Sequence, residues 1–254
     1  MINYMFWTGG WDSTFMLIQE LRNGKEIQPI YVIDTKRKGN DYEIKAMDTI
    51  TKLLEQQNYL GGKLHNLIFV DKDSIEILDE VENAFNVINK ETNLGIQHEW
   101  LSSYALKKNI SIMLGTENGT PETSHIIHAL NKYCKLIKKD DVKVVDEANS
   151  SKEGNYIFGK MIFPIIDLYD TDMVKRIKEW NLEDIMNNIW FCHTPINGKP
   201  CGLCHPCEVK MESNMQFLLP KISQKRYKKM KKIEKIFGHK ASSIYSKYIK
   251  YVNR

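Results

Sequence analysis

Two groups of residues in this chain have the types and spacing to do chemistry. The first is Thr8-Gly9-Gly10-Trp11-Asp12-Ser13, which follows the apolar run Ile2 to Trp7 and leads into Thr14. Adjacent glycines remove side-chain bulk, so backbone N–H groups can close on phosphate oxygens. The hydroxyls of Thr8, Ser13 and Thr14 add donors, and a helix starting here aims the positive end of its dipole at the same anion. Asp12 cannot face a phosphate unaided; it holds the loop or helps to place Mg²⁺. The string is neither the Gly-x-x-x-x-Gly-Lys-Ser/Thr loop nor the dinucleotide glycine motif. The second group is Cys192, Cys201, Cys204 and Cys207, spaced Cys-x8-Cys-x2-Cys-x2-Cys. Four thiolates at these intervals close a tetrahedral site of the kind that holds structural Zn²⁺, with no position left open for catalysis. Pro200 and Gly202 permit the sharp turn between ligands, and His193 and His205 are not needed to complete the set. Cys134 stands apart, as a core or surface residue.

The elements that must position these groups follow from hydrophobic periodicity. Ile2 to Trp7 reads as a buried parallel strand, and Phe15, Leu17, Ile18 and Leu21 mark a helix over 12–22 that stops at Asn23-Gly24. Further strands are expected at Ile27–Ile33, Leu67–Val70 and Ile110–Leu114, with helices over 41–58 and 96–108 between them. The polar stretch 138–156 reads as a surface excursion with a hairpin around Val142–Val145, and Phe163-Pro164-Ile165-Ile166 closes the sheet region. Helices are expected at 170–180 and 182–187. Strand and helix alternate, which predicts an α/β fold: a doubly wound, parallel sheet followed by a C-terminal zinc-binding helical segment. Three regions are expected: an α/β domain over 1–189 that carries the phosphate-binding turn, a zinc-binding segment over 190–220 and a basic helical tail over 221–254.

The glycine string resembles the Ser-Gly-Gly-x-Asp-Ser loop of the PP-loop ATP pyrophosphatases, with Thr8 in place of the first serine. Together with Cys201-Gly202-Leu203-Cys204-His205-Pro206-Cys207, it resembles the 7-cyano-7-deazaguanine synthase family, over roughly residues 1–212. The segment Pro164 to Val174, and Asp34 with Glu43 nine residues on, fit the same pattern. The resemblance implies ATP, Mg²⁺ and Zn²⁺ as cofactors. It implies an ATP site formed by Thr8, Gly9, Gly10, Asp12, Ser13, Thr14, Asp34 and Gly115, with Asp12 and Ser13 catalytic. It implies a C–N ligase that adenylates the carboxylate of 7-carboxy-7-deazaguanine, takes up ammonia, and dehydrates the amide through a second adenylation to the nitrile used in queuosine biosynthesis. Related sequences in anti-phage systems join a deazaguanine to another macromolecule. Members resembling this family often form homodimers.

The departures from the family lie in the substrate half. Gln97-His98 stands where Arg-Asn is expected, Gly115–Thr123 replaces Tyr-Pro-Asp-Cys-Arg, Asp170 replaces a lysine and Lys210 an arginine. Glu117 or Glu122 is left to hydrogen-bond the base, and His98, His125 and His128 are candidates for proton transfer.

The chain has 254 residues, 42% hydrophobic and 27% charged, no apolar run of membrane-spanning length and no signal-peptide pattern, so a cytoplasmic protein is expected. The net charge of +4 conceals an asymmetry: residues 221–254 carry twelve Lys or Arg against Glu234 alone. Tyr227, Met230, Ile233 and Phe237, then Ile244, Tyr245, Tyr248, Ile249 and Val252, predict two amphipathic helices packed on the body. The alternative is a surface for nucleic acid or an acidic protein, as in a tRNA-modifying PP-loop enzyme.

Overall fold

The structure is a computed structural model that describes residues 2–37, 39–57, 61–120 and 122–252. In chain order the strands are β1 (Ile2–Phe6), β2 (Glu26–Ile33), β3 (Lys63–Leu64), β4 (Ile68–Asp71), β5 (Ile112–Met113), β6 (Leu136–Lys139), β7 (Val142–Val145) and β8 (Met161–Phe163). The helices are α1 (Trp11–Arg22), α2 (Asn40–Glu55), α3 (Asp79–Thr92), α4 (Gln97–Lys108), α5 (His125–Tyr133) and α6 (Lys152–Phe158). They continue as α7 (Asp170–Glu179), α8 (Glu183–Met186), α9 (His205–Glu212), α10 (Lys221–Phe237) and α11 (His239–Val252).

The sheet runs β3-β2-β1-β5-β8-β7-β6, with β4 also on β2, and it is parallel from β3 to β8. Side chains alternate between two cores with the strand period of two. Met5, Ile27, Tyr31 and Met113 face one core with α1, α2, α7 and α8. Phe6, Ile30, Val32 and Ile112 face the other with α3 to α6. The molecule is therefore a mixed α/β structure with a mostly parallel sheet and helices on both faces. The strand order reverses at β1: β2 lies on one side and β5 on the other, which opens a crevice at the carboxyl ends of β1 and β5.

Three expectations are revised. The polar stretch after residue 138 is no excursion. Asp140 and Asp141 both take positive φ, which makes the tight two-residue turn that suits a twisted hairpin, and β6 and β7 extend the sheet antiparallel to β8. Residues 152–158 then form α6, capped by the Ser151 hydroxyl and anchored by Ile157 and Phe158. Helix α3 was not expected from its charged first turn, although Val81, Ala84, Phe85 and Ile88 lie buried at helical spacing. Helix α2 ends at Glu55, and Asn58, the end expected for it, lies outside the described residues.

Candidate functional site

The glycine turn links β1 to α1. Gly9 has φ +66°, and a Cβ there would sit 3.0 Å from Met47 and 3.2 Å from the Glu43 carbonyl, so only glycine fits. Gly10 precedes the first turn of α1, which no side chain caps, so the amides of that turn are available to an anion. The Thr8 and Ser13 hydroxyls are 3.2 Å apart, and the Thr8 amide donates to Ser13 Oγ at 3.4 Å. Thr14 departs from expectation: its side chain is fully buried and accepts a hydrogen bond from the Trp7 indole at 3.0 Å, so it serves the core. A Cβ on Gly115 would lie 2.9 Å from the backbone of Ser13, so Gly115 is the close approach that lets the β5 end seat against α1.

These residues wall a cleft of about 840 Å³ at the crevice of the sheet. Thr8, Asp12, Ser13, Asp34 and Gly115 line one part of it, Gln97, His98, Trp100 and Glu117 another, and His193 and Thr194 a third. Asp34 Oδ1 accepts the Lys36 amide and Oδ2 pairs with Lys72 at 3.2 Å. Partial burial raises its pKa, but these donors outweigh that and hold the carboxyl below its usual range. Glu43 is buried and engaged by Tyr31 and Arg37, so it braces the loop after β2. His98 is buried beside Phe158 with Nδ1 unpartnered, and burial depresses its pKa to about 4, leaving a neutral imidazole. His125 is exposed and, like His128, lies off the cleft wall.

Asp12, Glu117 and Asp170 offer carboxylate oxygens within 4.8 Å of one another. Asp12 Oδ1, Glu117 Oε2 and Asp170 Oδ1 are buried without hydrogen-bond partners. Burial, eased by Lys210 and aggravated by Asp170, raises the Asp12 pKa to about 6. Burial and the charges of Asp12 and Asp170 raise Glu117 to about 9. One cation enters: Lys210, itself buried, places Nζ 3.7 Å from Asp170 Oδ1 and 5.4 Å from the centre of the Trp11 ring. Asp12, Glu117, Asp170 and Lys210 are far apart in the sequence; their assembly depends on α1, the β5 end, α7 and α9 meeting, which no local spacing signals.

The four cysteines meet as expected. Their sulfurs lie 3.8 Å (Cys192–Cys204), 3.9 Å (Cys201–Cys207) and 3.5 Å (Cys204–Cys207) apart. Zn–S bonds of about 2.3 Å give tetrahedral edges of about 3.8 Å, so the donor set fits zinc. The amides of Cys201 and Leu203 point at the sulfurs of Cys192 and Cys201, both at 3.2 Å. The centre is tied to the glycine turn: the Trp190 amide donates to the Gly9 carbonyl at 2.8 Å, and Trp190 stacks on Tyr42 at 4.5 Å. It is tied equally to the tail. Cys192, Cys201, Cys204 and Cys207 share a small core with Leu203, Leu219 and Met230, against which Tyr227, Tyr245 and Ile249 pack. Among the described residues no helix is long and apolar enough to cross a membrane. Neither the models of known protein families nor the curated protein sequences give a match to this chain.

Proposed function

We propose that the chain is an ATP-dependent C–N ligase that forms AMP and pyrophosphate by way of an acyl-adenylate. The observation that carries this reading is the uncapped start of α1 behind the Gly9-Gly10 turn, opening into a large cleft where the strand order reverses. The first-turn amides and the Thr8 and Ser13 hydroxyls would hold the β and γ phosphates as they depart. Asp34, at the end of β2, would accept the ribose hydroxyls. Gly115 keeps the floor low enough for the α-phosphate to reach the second substrate. The carboxylates of Asp12, Glu117 and Asp170 are an all-oxygen donor set suited to Mg²⁺, which would neutralise charge on the leaving pyrophosphate. Lys210 would add a fixed positive charge beside them.

The substrate we propose is 7-carboxy-7-deazaguanine or a related deazaguanine acid. A carboxylate oxygen attacks the α-phosphorus and pyrophosphate leaves. Ammonia then attacks the acyl carbon and AMP leaves, giving the amide. A second adenylation, now on the amide oxygen, followed by loss of AMP and a proton, gives the nitrile. Neutral His98 and the Gln97 amide each offer a donor and an acceptor to the heterocycle's edge. The deciding assay incubates zinc-loaded protein with ATP, Mg²⁺, ammonium and the deazaguanine acid. AMP, pyrophosphate and nitrile are the expected products. AMP with an amide or conjugate as end product would relocate the reaction within the class; ADP and phosphate would overturn the proposal.

A further inference from the structure

Helix α10 turns two chemically different faces outward and inward. Lys221, Lys225, Lys228, Lys232 and Lys235 are all exposed and recur at helical spacing. At 100° per residue they occupy an arc of about 80° and a row about 21 Å long. Met230 lies opposite, buried against the zinc centre. Acids occur only on the inward side. Lys231 is held by Glu208, by Glu212 at 3.3 Å and by Glu234 at 3.5 Å. None of the five lysines of the outer row has an ion-pair partner among the described residues. Elsewhere the reverse is common: Lys25, Lys52, Lys72, Lys107, Lys132 and Lys143 each pair with an acid. The next helix adds exposed rings, with Tyr248 61% and Tyr251 76% accessible.

We infer that the outer face of the α10–α11 hairpin binds single-stranded nucleic acid, the lysine row tracking phosphates and the exposed tyrosines stacking on bases. Unpaired, evenly spaced ammonium groups are what a polyphosphate needs, because each contact releases a condensed counterion. Exposed aromatic rings on the helix packed against that row's helix favour a strand whose bases are unstacked. A lipid surface fits less well. A membrane-bound amphipathic helix directs a continuous apolar stripe at the bilayer, whereas α10 turns Met230 and Tyr227 onto the cysteine cluster and shows a lysine row to solvent, its exposed Ile222, Ile236 and Phe237 lying at the two ends rather than in a stripe. The inference stands independently of the ATP reading.

The test uses the full, zinc-loaded chain and a labelled single-stranded 20-mer of mixed sequence, followed by fluorescence anisotropy between 50 and 300 mM salt. Five phosphate contacts predict a log–log salt slope of roughly −3.5, at about 0.7 per phosphate. The triple variant Lys225→Gln, Lys228→Gln, Lys232→Gln should flatten the slope by about 2. A control removing the same charge elsewhere, Lys90→Gln, Lys108→Gln, Lys178→Gln, should leave it unchanged. Tyr248→Ala with Tyr251→Ala should weaken the single strand by about fivefold or more while barely affecting a duplex. All these side chains are exposed, so unchanged thermal unfolding verifies the fold of each variant. Equal losses in the triple variant and its control would overturn the inference, as would no binding at 50 mM salt. Capture by anionic vesicles without oligonucleotide binding would overturn it in favour of a lipid surface.

Discussion

At the residue scale, the chemistry converges on Asp12, Glu117 and Asp170. Three carboxylates crowded within 4.8 Å must be relieved by protons or by a cation. Asp12 and Glu117 have folded pKa values raised to about 6 and about 9, so the fold binds their protons more tightly than the unfolded chain does. Their stabilising contribution is therefore complete at acid pH and is lost as pH rises through those values. In magnesium-free buffer the thermal midpoint should fall between pH 6 and pH 9.5, and the fall should be smaller in Glu117→Gln. Added Mg²⁺ should restore the midpoint at the alkaline end. A midpoint that rises over this range would remove the basis for a shared site. Gly115 gives a second prediction. A methyl group 2.9 Å from the Ser13 backbone must push apart the β5 end and α1, so Gly115→Ala should cost about 1–3 kcal/mol, measured by denaturant unfolding. It should also weaken nucleotide binding more than a surface substitution of equal cost.

At the element scale, the four-cysteine cluster joins parts that the sequence places far apart. Gly202 has φ +74°, and a Cβ there would meet the Ser223 carbonyl at 2.1 Å, so this one position lets α10 lie against the cysteine knuckle. The Ser223 hydroxyl donates to the Pro200 carbonyl, and Ser246 of α11 donates to Leu203 at 3.4 Å. Gly202→Ala should therefore free the tail, read as faster amide exchange in α10 and α11 with the sheet protected as before. Zinc removal, or Cys204→Ser, should do the same and also disturb Lys210, which leaves the knuckle on α9. Equal protection of the tail with and without zinc would contradict this coupling. The glycine turn, the cysteine knuckle and the two tail helices were legible because each depends on neighbouring residues. The hairpin around Val142–Val145 was legible too, but helix α6 and the hairpin's pairing with β8 were not: their polar residues face solvent, and their few apolar ones are recruited by α3, α5 and β8 across the fold. Helix α3 did carry a readable period in Val81, Ala84, Phe85 and Ile88, masked by Asp79, Glu80 and Glu82 in its first turn.

At the scale of the whole molecule, the reversal of strand order beside β1 places the glycine turn, the β2 end, the β5 end and α4 around one cleft, and the segment leading into the cysteine cluster closes its rim with His193 and Thr194. The sequence named the glycine-loop residues and the four cysteines. It could not supply the distances that bring Asp170 and Lys210 to Asp12, because those depend on how three layers pack. We propose that this cleft activates an acid by splitting ATP between its α and β phosphates. The most direct measurement is exchange of labelled pyrophosphate into ATP, dependent on the acceptor carboxylate and on Mg²⁺. The wild-type protein should catalyse it with the deazaguanine acid in the absence of ammonium, and Ser13→Ala should slow it by about tenfold or more, because one donor to the leaving pyrophosphate is lost. No exchange, with ADP and phosphate appearing instead, would contradict the claim.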